Sequence, residues 1–520
     1  MSTKIVRILG IGALAANAAF AAESLPSSTE LAKELAPYLA KPLPSVESLI
    51  GVAMPPPAPL MVVASLSDDD SQSELDRGYA VGFTLNELLF DADPKLDVLA
   101  PWYYAYDTRK KDVTTGTKRD SAGNAYRAGS RNHARWCAHG RVSGAGPTRV
   151  ELIVDGCAAG NSSHKKQWTV RAENDWPATL AEMCEFASAS ATGELTPRAR
   201  ASCQRARDIR PASLLALARF GRQYRTWKAL EAMVEADPKF APAVVEYLYR
   251  IEYYGEWPVF WDRLDAVAKA VPQSSAVQLL TYSRLASTYG WKISAVPYPR
   301  FFIWVRNHPH LSSAWLALAS GLSGGNPSDW PASKSSPPMS PDGFPVPIPP
   351  KDYPPNEATH TASLTLSLAI YRNSPQSYRS LWMMGYALER YGWMLRGSNF
   401  WRDVPDIGKR GFPAMIDWAD RFNQATLGLH PEADRVWNNR MNTAMLAGED
   451  WLPIFDRAVE VNPTRRGLYE DAMSKALDRW GGDDELRARI QRVAREKNPG
   501  AKWAETLQAR WEEAHSDPNR

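Results

Sequence analysis

The order of apolar and polar residues separates a strand-rich part of the chain from a longer helical part. Between residues 78 and 172, apolar and polar residues alternate in short stretches that Gly, Asn and Asp interrupt, a pattern typical of β-strands joined by turns. These stretches are 79–83, 134–142, 150–154 and 167–170. From about residue 176 onward, apolar residues recur at helical spacing. We therefore expect a mostly α protein in which a small α+β module precedes a run of helices.

Prolines follow the predicted helices at nearly regular intervals. They are Pro238, Pro272, Pro309, Pro375, Pro431, Pro463 and Pro499, and the intervals between them are 34, 37, 66, 56, 32 and 36 residues. Four of the six intervals lie close to the period of about 34 residues found in tetratricopeptide helix pairs. Proline ends one helix and fixes φ at the start of the next. The spacing therefore predicts helix pairs that stack along residues 205–510.

Two short motifs occur in this helical region. They are Trp-Met-Leu-Arg-Gly-Ser at 393–398 and Trp-Gly-Gly at 480–482. The period and the turns make residues 205–510 resemble the tetratricopeptide superfamily. The two motifs make residues 381–482 resemble an uncharacterised bacterial repeat family that carries an aromatic-Arg-Gly motif and a closing Trp-Gly-Gly. The resemblance implies a tetratricopeptide-like α-solenoid, in which helix pairs stack into an extended surface. It implies no particular chemistry.

The amino terminus has the pattern of a secretory signal peptide. Lys4 and Arg7 precede an apolar run at 8–20, and Ala19 and Ala21 place small residues where a signal peptidase cuts. The run is shorter than the roughly 20 apolar residues that span a bilayer. We expect cleavage after Ala21 and export to the periplasm or beyond, with no integral membrane segment in the mature chain.

The four cysteines lie within 67 residues, at Cys137, Cys157, Cys184 and Cys203. Exported cysteines usually oxidise, and four of them allow three pairings. A strand–turn–strand pattern favours a bond between Cys137 and Cys157. Cys184 and Cys203 lie nearly equidistant from a glycine break between two helical segments, which favours the second bond. We therefore expect a module that two local disulfides stabilise.

Histidines raise the alternative of a metal site. His133, Cys137 and His139 could hold a metal, but no second pair of ligands has the spacing of such a site, so we favour the disulfides. The segment His308-Pro309-His310 also places two imidazoles close together, without a nearby Cys, Asp or Glu in the sequence. We interpret it as a turn between helices. We expect neither a metal nor another cofactor.

Pro-rich stretches mark the boundaries of the predicted segments. Residues 326–355 contain 11 prolines in 30 residues, which favours an extended linker along the surface or a ligand arm for a partner. Residues 108–131 are polar and predict an exposed loop.

The predicted organisation is a signal peptide at 1–21, a Pro-rich lead-in or linker at 22–77 with a short helix at 28–39, the α+β module with two disulfides at 78–204, helical repeats at 205–325, the insertion at 326–355 and helical repeats at 356–520.

Charge and one hydrolase-like motif argue against two classes of function. Lys plus Arg number 61 and Asp plus Glu number 58, and this net charge of +3 is too balanced for a nucleic-acid-binding protein. The segment Gly321-Leu322-Ser323-Gly324-Gly325 matches the Gly-x-Ser-x-Gly pattern of a hydrolase nucleophile. A helical run precedes this segment, whereas the hydrolase motif needs a strand. We therefore interpret it as the end of a helix.

Aromatic residues are the strongest signal in the composition, which includes 20 Trp. They recur along successive predicted helices, and a stripe at helical spacing is usually core. Trp and Tyr also form binding hot spots, and a solenoid collects such residues on its concave face. The candidate binding residues are Trp257, Trp261, Trp304, Trp382, Tyr386, Glu389, Trp393, Arg396 and Trp401.

Two functions from different classes fit this pattern. The first is a non-enzymatic periplasmic or exported scaffold or adaptor, whose aromatic concave face binds an envelope protein or a peptide. The second is a cell-envelope protein that binds glycan, or an enzyme that cleaves it, with Glu389 as the acid. Burial beside Tyr386 and Trp393 would raise the pKa of Glu389 as such an acid requires, whereas an ion pair with Arg390 would make it structural. We favour the adaptor and name no catalytic residue.

Overall fold

The structure, a computed structural model, describes residues 25–68, 75–100, 120–144, 147–157, 163–222, 227–251, 267, 269–289, 297–323, 355–397, 401–477 and 482–509. Its contacts divide the chain into two compact units. Unit 1 joins the segment up to Pro44 with His360–Arg520, and unit 2 is the continuous segment Ser45–Thr359. This division differs from the predicted boundaries, because it splits the lead-in at 22–77. The predicted signal peptide and most of the insertion at 326–355 lie outside the described residues.

Helices predominate in both units. Unit 1 begins with α1 (Ser28–Leu35). Unit 2 contains α2 (Val46–Ile50), β1 (Leu60–Val63), β2 (Ser67–Asp68), α3 (Arg77–Leu89), β3 (Asp97–Val98), α4 (Ser121–Asn132), β4 (Trp136–Ser143), β5 (Thr148–Gly156), β6 (Ser163–Val170), α5 (Trp176–Thr192), α6 (Pro197–Gln204), α7 (Pro211–Arg222), α8 (Trp227–Ala236), α9 (Ala241–Ile251), α10 (Ser275–Tyr289), α11 (Pro297–Asn307) and α12 (Ser312–Ser323). Helix α13 (Pro355–Asn373) crosses the boundary, and unit 1 continues with α14 (Tyr378–Arg396), α15 (Asp406–Leu429), α16 (Asp434–Ala447), α17 (Leu452–Val461), α18 (Arg466–Lys475), α19 (Asp484–Lys497) and α20 (Lys502–Glu505). The described chain is therefore mostly helical with a small mixed sheet, as predicted.

The sheet of unit 2 has the strand order β3-β1-β4-β5-β6, and β2 pairs with β4 beside this path. Strand β1 pairs in parallel with β3 and β4, whereas β4, β5 and β6 pair antiparallel. The predicted strand–turn–strand at β4 and β5 is confirmed. Strand β1 corrects the prediction of a linker at 22–77, since Met61, Val62 and Val63 are buried. Flanking prolines conceal this short apolar run in the sequence pattern.

Helix α3 stands where the sequence predicts a strand at 79–83, and that prediction is wrong. Asp76 caps the helix by accepting a hydrogen bond from the Tyr79 N–H at 2.8 Å. Apart from its first residue the whole helix is buried, so the sequence shows no polar face from which to read a helical period. A Cβ atom at Gly82 would lie 2.6 Å from the Cα of Ser65. Glycine therefore permits the close approach of α3 to the chain that follows β1.

Helix α4 corrects the prediction of an exposed loop at 108–131. The helix is polar in composition, and only a narrow stripe of small residues is covered. Ala125 and Ala128 belong to this stripe and share a buried cluster with Cys137 of the sheet. The prediction fails because small buried residues give a weak hydrophobic signal. Residues 108–119 lie outside the described part of the chain.

Both predicted disulfides are confirmed. Cys137 on β4 is bonded to Cys157, with 5.6 Å between their Cα atoms. Cys184 on α5 is bonded to Cys203 on α6, with 5.3 Å between their Cα atoms. The helical hairpin that carries the second bond turns after Gly193, whose φ of +80° suits glycine. These bonds hold the α+β part of unit 2 together at two separate places.

Each proline of the predicted repeat lies in a turn that precedes a helix. In three of these turns, an aromatic side chain six residues after the proline donates a hydrogen bond to the proline carbonyl. The pairs are Trp315 with Pro309 at 2.8 Å, Trp437 with Pro431 at 2.7 Å, and Tyr469 with Pro463 at 2.7 Å. We refer to this contact as the proline anchor. It ties the turn to the helix that follows.

The helices of unit 1 pack in sequence order. Each helix from α14 to α20 contacts the next one along the chain, and α16 also contacts both α14 and α18. The amino-terminal segment belongs to the same unit, since the Tyr371 hydroxyl donates to the Pro26 carbonyl at 2.8 Å. The ring of Tyr371 also meets Phe422 edge-on at 5.1 Å. Residues from both ends of the chain thus contribute to one core.

Candidate functional site

Unit 1 contains a cavity of about 510 Å³ between the carboxyl end of α14, the middle of α15 and the carboxyl end of α16. Ligand pockets in proteins typically have volumes of about 300–1,000 Å³. The described residues that line the cavity are Trp393, Arg396, Trp401, Phe412, Pro413, Ile416, Asp417, Asp420, Thr443, Ala444, Met445, Leu446, Ala447 and Glu449. We refer to this site as the aromatic cavity. It is large enough for one or two amino-acid side chains or a small sugar.

Trp393 and Arg396 reach the aromatic cavity from the last turn of α14, because residues three apart share a helix face. The Arg396 guanidinium lies 5.1 Å from the ring centre of Trp393 and 5.8 Å from that of Phe412. The two rings meet at 64° with their centres 5.2 Å apart. Arg396 also donates a hydrogen bond to the carbonyl of Gly397 at 3.1 Å. Cation–π contacts therefore hold the arginine beside two aromatic rings.

Helix α15 supplies one wall through residues at a spacing of four. Phe412, Ile416 and Asp420 lie on one face of this helix because the α-helix repeats every 3.6 residues. Asp420 accepts a hydrogen bond from the Thr443 hydroxyl at 2.9 Å, and the Arg440 Nε lies 3.6 Å from the same oxygen. These contacts fix α15 against α16 on one side of the cavity.

Trp401 and two carboxylates give the cavity a polar and accessible edge. Trp401 has 49% of its surface exposed, the highest value among the large hydrophobic residues described. Asp417 is exposed and pairs with Arg421 at 2.9 Å. Glu449 is exposed just after the end of α16. The cavity therefore combines flat aromatic surface with hydrogen-bond acceptors and one guanidinium.

The other predicted residues of α14 do not line the aromatic cavity. Trp382 and Tyr386 lie nearer the amino end of the helix and stack with an interplanar angle of 10° and 5.8 Å between ring centres. Arg390 lies 5.2 Å from the ring centre of Tyr386. Glu389 belongs to a separate buried cluster. The sequence thus predicted one binding surface along α14. In the structure, Trp393 and Arg396 line the aromatic cavity, whereas Trp382, Tyr386 and Glu389 lie elsewhere on the same helix.

Glu389 lies in a buried polar cluster that spans α14, α16 and α18. It accepts a hydrogen bond from the Asn442 amide at 2.6 Å. Burial raises the pKa of Glu389, and Arg390, Asn442 and Lys475 only partly offset this. Burial likewise lowers the pKa of Lys475 and raises that of Asp471. The raised pKa agrees with the idea of an acid, but the carboxyl contacts other helices rather than the cavity.

The candidate residues of unit 2 are not part of this site. Trp304 on α11 is buried, donates a hydrogen bond to Gln278 at 2.7 Å and stacks on His308 with 4.1 Å between ring centres. These contacts are those of a core residue. Trp257 and Trp261 lie outside the described residues.

Two motifs considered in the sequence have structural roles. Ser323 is the buried last residue of α12, so the Gly-x-Ser-x-Gly pattern ends a helix as interpreted. The metal alternative with His133, Cys137 and His139 is wrong, because Cys137 is bonded to Cys157 and His139 pairs with a carboxylate. Within the described ranges, no group of three or more His, Cys, Asp or Glu is placed to hold a metal.

Sequence reasoning missed the lining residues of α15 and α16. The spacing of Phe412, Ile416 and Asp420 was a usable signal, since an aromatic, an aliphatic and an acidic residue share one helix face. Thr443 and Glu449 gave no such signal, because their place at the cavity depends on how α16 packs on α15.

No protein-family model matches the chain, and no curated protein matches it. Across the described ranges, no helix is both long and apolar enough to cross a membrane. The function is therefore argued from the aromatic cavity.

Proposed function

We propose that this chain is an exported scaffold or adaptor that binds a peptide segment of an envelope protein in the aromatic cavity. The observation that carries the proposal is the meeting of Trp393, Arg396 and Trp401 at one cavity. Tryptophan and arginine are the residues most enriched in binding hot spots. A cavity of this size accepts anchor side chains of a peptide while the rest of the segment lies on the surface.

The proposal includes a tetratricopeptide-like α-solenoid. Proline anchors recur in three turns, and α14, α16 and α18 contact one another in order along unit 1. Both features favour stacked helix pairs, which present extended surfaces suited to peptide segments. Export rests on the amino-terminal pattern that ends at Ala21 and agrees with the two disulfides, since disulfides persist in oxidising compartments.

The chemistry of the lining suggests how a peptide is held. The rings of Trp393 and Phe412 offer apolar surface for an anchor side chain, and half-exposed Trp401 adds a third ring to the lining. Arg396 has donors for a backbone carbonyl or a carboxylate. Glu449 offers an acceptor for peptide N–H groups or a basic side chain.

In-cell crosslinking tests this proposal. A photoreactive amino acid in place of Trp401 should crosslink one or two envelope proteins reproducibly, and Arg396→Gln in the same chain should reduce their yield by about tenfold. Tyr126, which is 38% exposed in unit 2, is the matched control position. Identical crosslinks from positions 401 and 126, or a yield that Arg396→Gln leaves unchanged, would contradict the proposal.

A glycan is the second candidate ligand, and one observation favours it. Half-exposed Trp401 lies at the same cavity as the exposed carboxylates of Asp417 and Glu449, an arrangement that also suits stacking and hydrogen bonding to a sugar. Titration of the purified protein with cell-envelope glycan fragments distinguishes the two. A saturable change in tryptophan fluorescence that Trp401→Phe abolishes supports the glycan, whereas no change in the wild type contradicts it.

A further inference from the structure

Carboxylates outnumber cations in the lining of the aromatic cavity. Among the described lining residues, three side chains are acidic and one is basic: Asp417, Asp420, Glu449 and Arg396. The sign of the charge that lines a cleft favours ligand groups of the opposite sign. A cationic group of a ligand therefore meets three carboxylates and one guanidinium, and an anionic group meets the unfavourable excess.

The three carboxylates differ in how far the protein itself already uses them. Asp420 accepts a hydrogen bond from α16 and belongs to the packing of two helices. Asp417 pairs with Arg421, but 60% and 53% of their side chains are exposed, and exposed ion pairs are weak. The Glu449 side chain has no hydrogen bond or ion pair within the part of the chain that the structure describes. Asp417 and Glu449 are therefore available to a ligand.

The last turns of α14 and α16 add partial negative charge to the same lining. Arg396 ends α14 at the cavity, and Leu446 and Ala447 end α16 there. The carboxyl end of a helix is partially negative because its last carbonyls lack helical partners. Arg396 offsets this charge at the end of α14, whereas the last turn of α16 contains no basic residue. The end of α16 thus also attracts a cation.

The cavity already holds one cation of the chain on its aromatic rings. The Arg396 guanidinium lies over Trp393 and Phe412 and donates to the Gly397 carbonyl. Trp401 has no such occupant, since no ring or cation among the described residues is stacked on it and half of its surface is exposed. Its indole face is therefore available for a second cation, which tryptophan binds best among the aromatic residues.

We propose that the aromatic cavity selects a basic anchor, the side chain of an arginine or lysine in the bound peptide. The inference rests on the proposed function, because it names the chemistry of the segment that the cavity binds. The cationic head of the anchor stacks on Trp401 and pairs with Glu449 and Asp417. Its methylene stem contacts the apolar lining, and Arg396 donates to a backbone carbonyl of the same segment.

This lining predicts an order of affinity among anchor side chains. Arginine ranks first, because its planar guanidinium stacks on an indole and forms two parallel hydrogen bonds with one carboxylate. Lysine follows with a compact charge on a stem of four methylene groups. Norleucine has a stem of the same length without the charge and ranks third. Glutamate ranks last, since it meets the excess of carboxylates.

Peptides that differ at one position test this order. Acetyl-Gly-Ser-X-Ser-Gly-amide, with arginine, lysine, norleucine or glutamate at X, is titrated into the full chain. The reporter is the indole N–H signal of Trp401 in NMR spectra, assigned by its absence from Trp401→Phe. We expect the arginine and lysine peptides to bind about tenfold more tightly than the norleucine peptide, because ring stacking and the ion pairs each add a few-fold.

Glu449→Gln tests the carboxylate that has no partner of its own. The variant keeps the shape of an exposed side chain and removes its charge, so affinity for the arginine peptide should fall about fivefold while that for the norleucine peptide stays unchanged. Glu496→Gln is the matched control, an exposed carboxylate of α19 outside the cavity. In the wild type, raising the ionic strength from about 20 mM to about 500 mM should narrow the preference without any variant, because salt screens exposed charges.

Three results would overturn the basic anchor. They are a norleucine peptide that binds as tightly as the lysine peptide, a glutamate peptide that binds most tightly, and a preference for arginine that Glu449→Gln leaves unchanged. Each of them leaves the proposed function standing, because crosslinking from position 401 does not depend on the charge of the anchor. Absence of saturable binding by all four peptides would also overturn the basic anchor, and the crosslinking then decides the proposed function separately.

Discussion

Glu389 and Arg396 lie two helical turns apart on α14 and have different surroundings. Arg396 stacks on Trp393 and Phe412 at the edge of a cavity, where its remaining donors are available to a ligand. Glu389 is buried and bonded to Asn442. The same helix stripe therefore carries one group suited to binding and one that is part of the packing between helices.

Glu389→Gln tests the structural role at this scale. Because burial raises the pKa of Glu389, the folded chain holds the carboxyl proton more tightly than the unfolded chain does. The stability that this proton contributes is present at low pH and is lost as the pH rises through the raised pKa. Glutamine imitates the neutral acid and still accepts from Asn442. We expect the melting temperature of the variant to fall less than that of the wild type between pH 5 and pH 8, with ligand binding unchanged.

The control for this variant is Glu449→Gln, an exposed carboxylate at the aromatic cavity that should leave the pH dependence of melting as in the wild type. The rival role of Glu389 gives a different result. If Glu389→Gln abolished cleavage of envelope glycan while stability and binding stayed intact, Glu389 would be a catalytic acid and the adaptor proposal would fail.

Individual helices of unit 1 are fixed to their preceding turns by the proline anchors. A proline carbonyl at the start of a turn has no regular helical partner, and an aromatic donor on the next helix supplies one. The donor ring is also part of the core. The same residue thus contributes apolar burial and sets the direction in which the next helix begins.

Trp437→Phe removes the hydrogen bond of one anchor. The variant keeps an aromatic ring but removes the N–H group that donates to the Pro431 carbonyl. We expect a loss of about 1 kcal/mol in the free energy of unfolding. Trp418→Phe is the matched control, because Trp418 makes ring contacts with Phe422 and Arg421 on the same unit. Equal losses in the two variants, measured by denaturant unfolding, would show that ring size rather than the anchor matters.

Prediction from the sequence succeeded for elements whose pattern is local. Strands β4 and β5 and the hairpin of α5 and α6 have turn residues between them and cysteines that meet across short loops. The prediction for α3 is wrong because this helix is covered on all sides and shows no polar face. The prediction for α4 is wrong because its buried stripe consists of small residues. Trp393, Arg396 and Trp401 were chosen as candidates from composition and motif, whereas the residues opposite them depend on tertiary packing.

At the scale of the whole molecule, stability has different sources in the two units. Unit 2 contains both disulfides. Unit 1 has no cysteine and depends on helix packing, in a continuous apolar cluster that includes Trp437, Phe455 and Tyr469. Reduction of the disulfide bonds should therefore affect only unit 2 directly.

The variant Cys184→Ala/Cys203→Ala tests this separation. Loss of a disulfide that closes a loop of 19 residues should cost about 3 kcal/mol in the unfolding free energy of unit 2. Hydrogen exchange in unit 1 should stay as in the wild type. Non-reducing peptide mapping of the wild-type chain provides the reference, with Cys137 linked to Cys157 and Cys184 to Cys203. Equal loss of protection in both units would refute independent stabilisation.

Unit 1 is interrupted in the chain by the whole of unit 2, and this imposes an order on its assembly. As the chain is synthesised, α1 is complete long before the later helices of unit 1 exist, so Leu31 and Leu35 remain exposed while unit 2 can already fold. The final core of unit 1 closes only after its last helices arrive. A chain that lacks its last helices would therefore leave the apolar face of α1 uncovered.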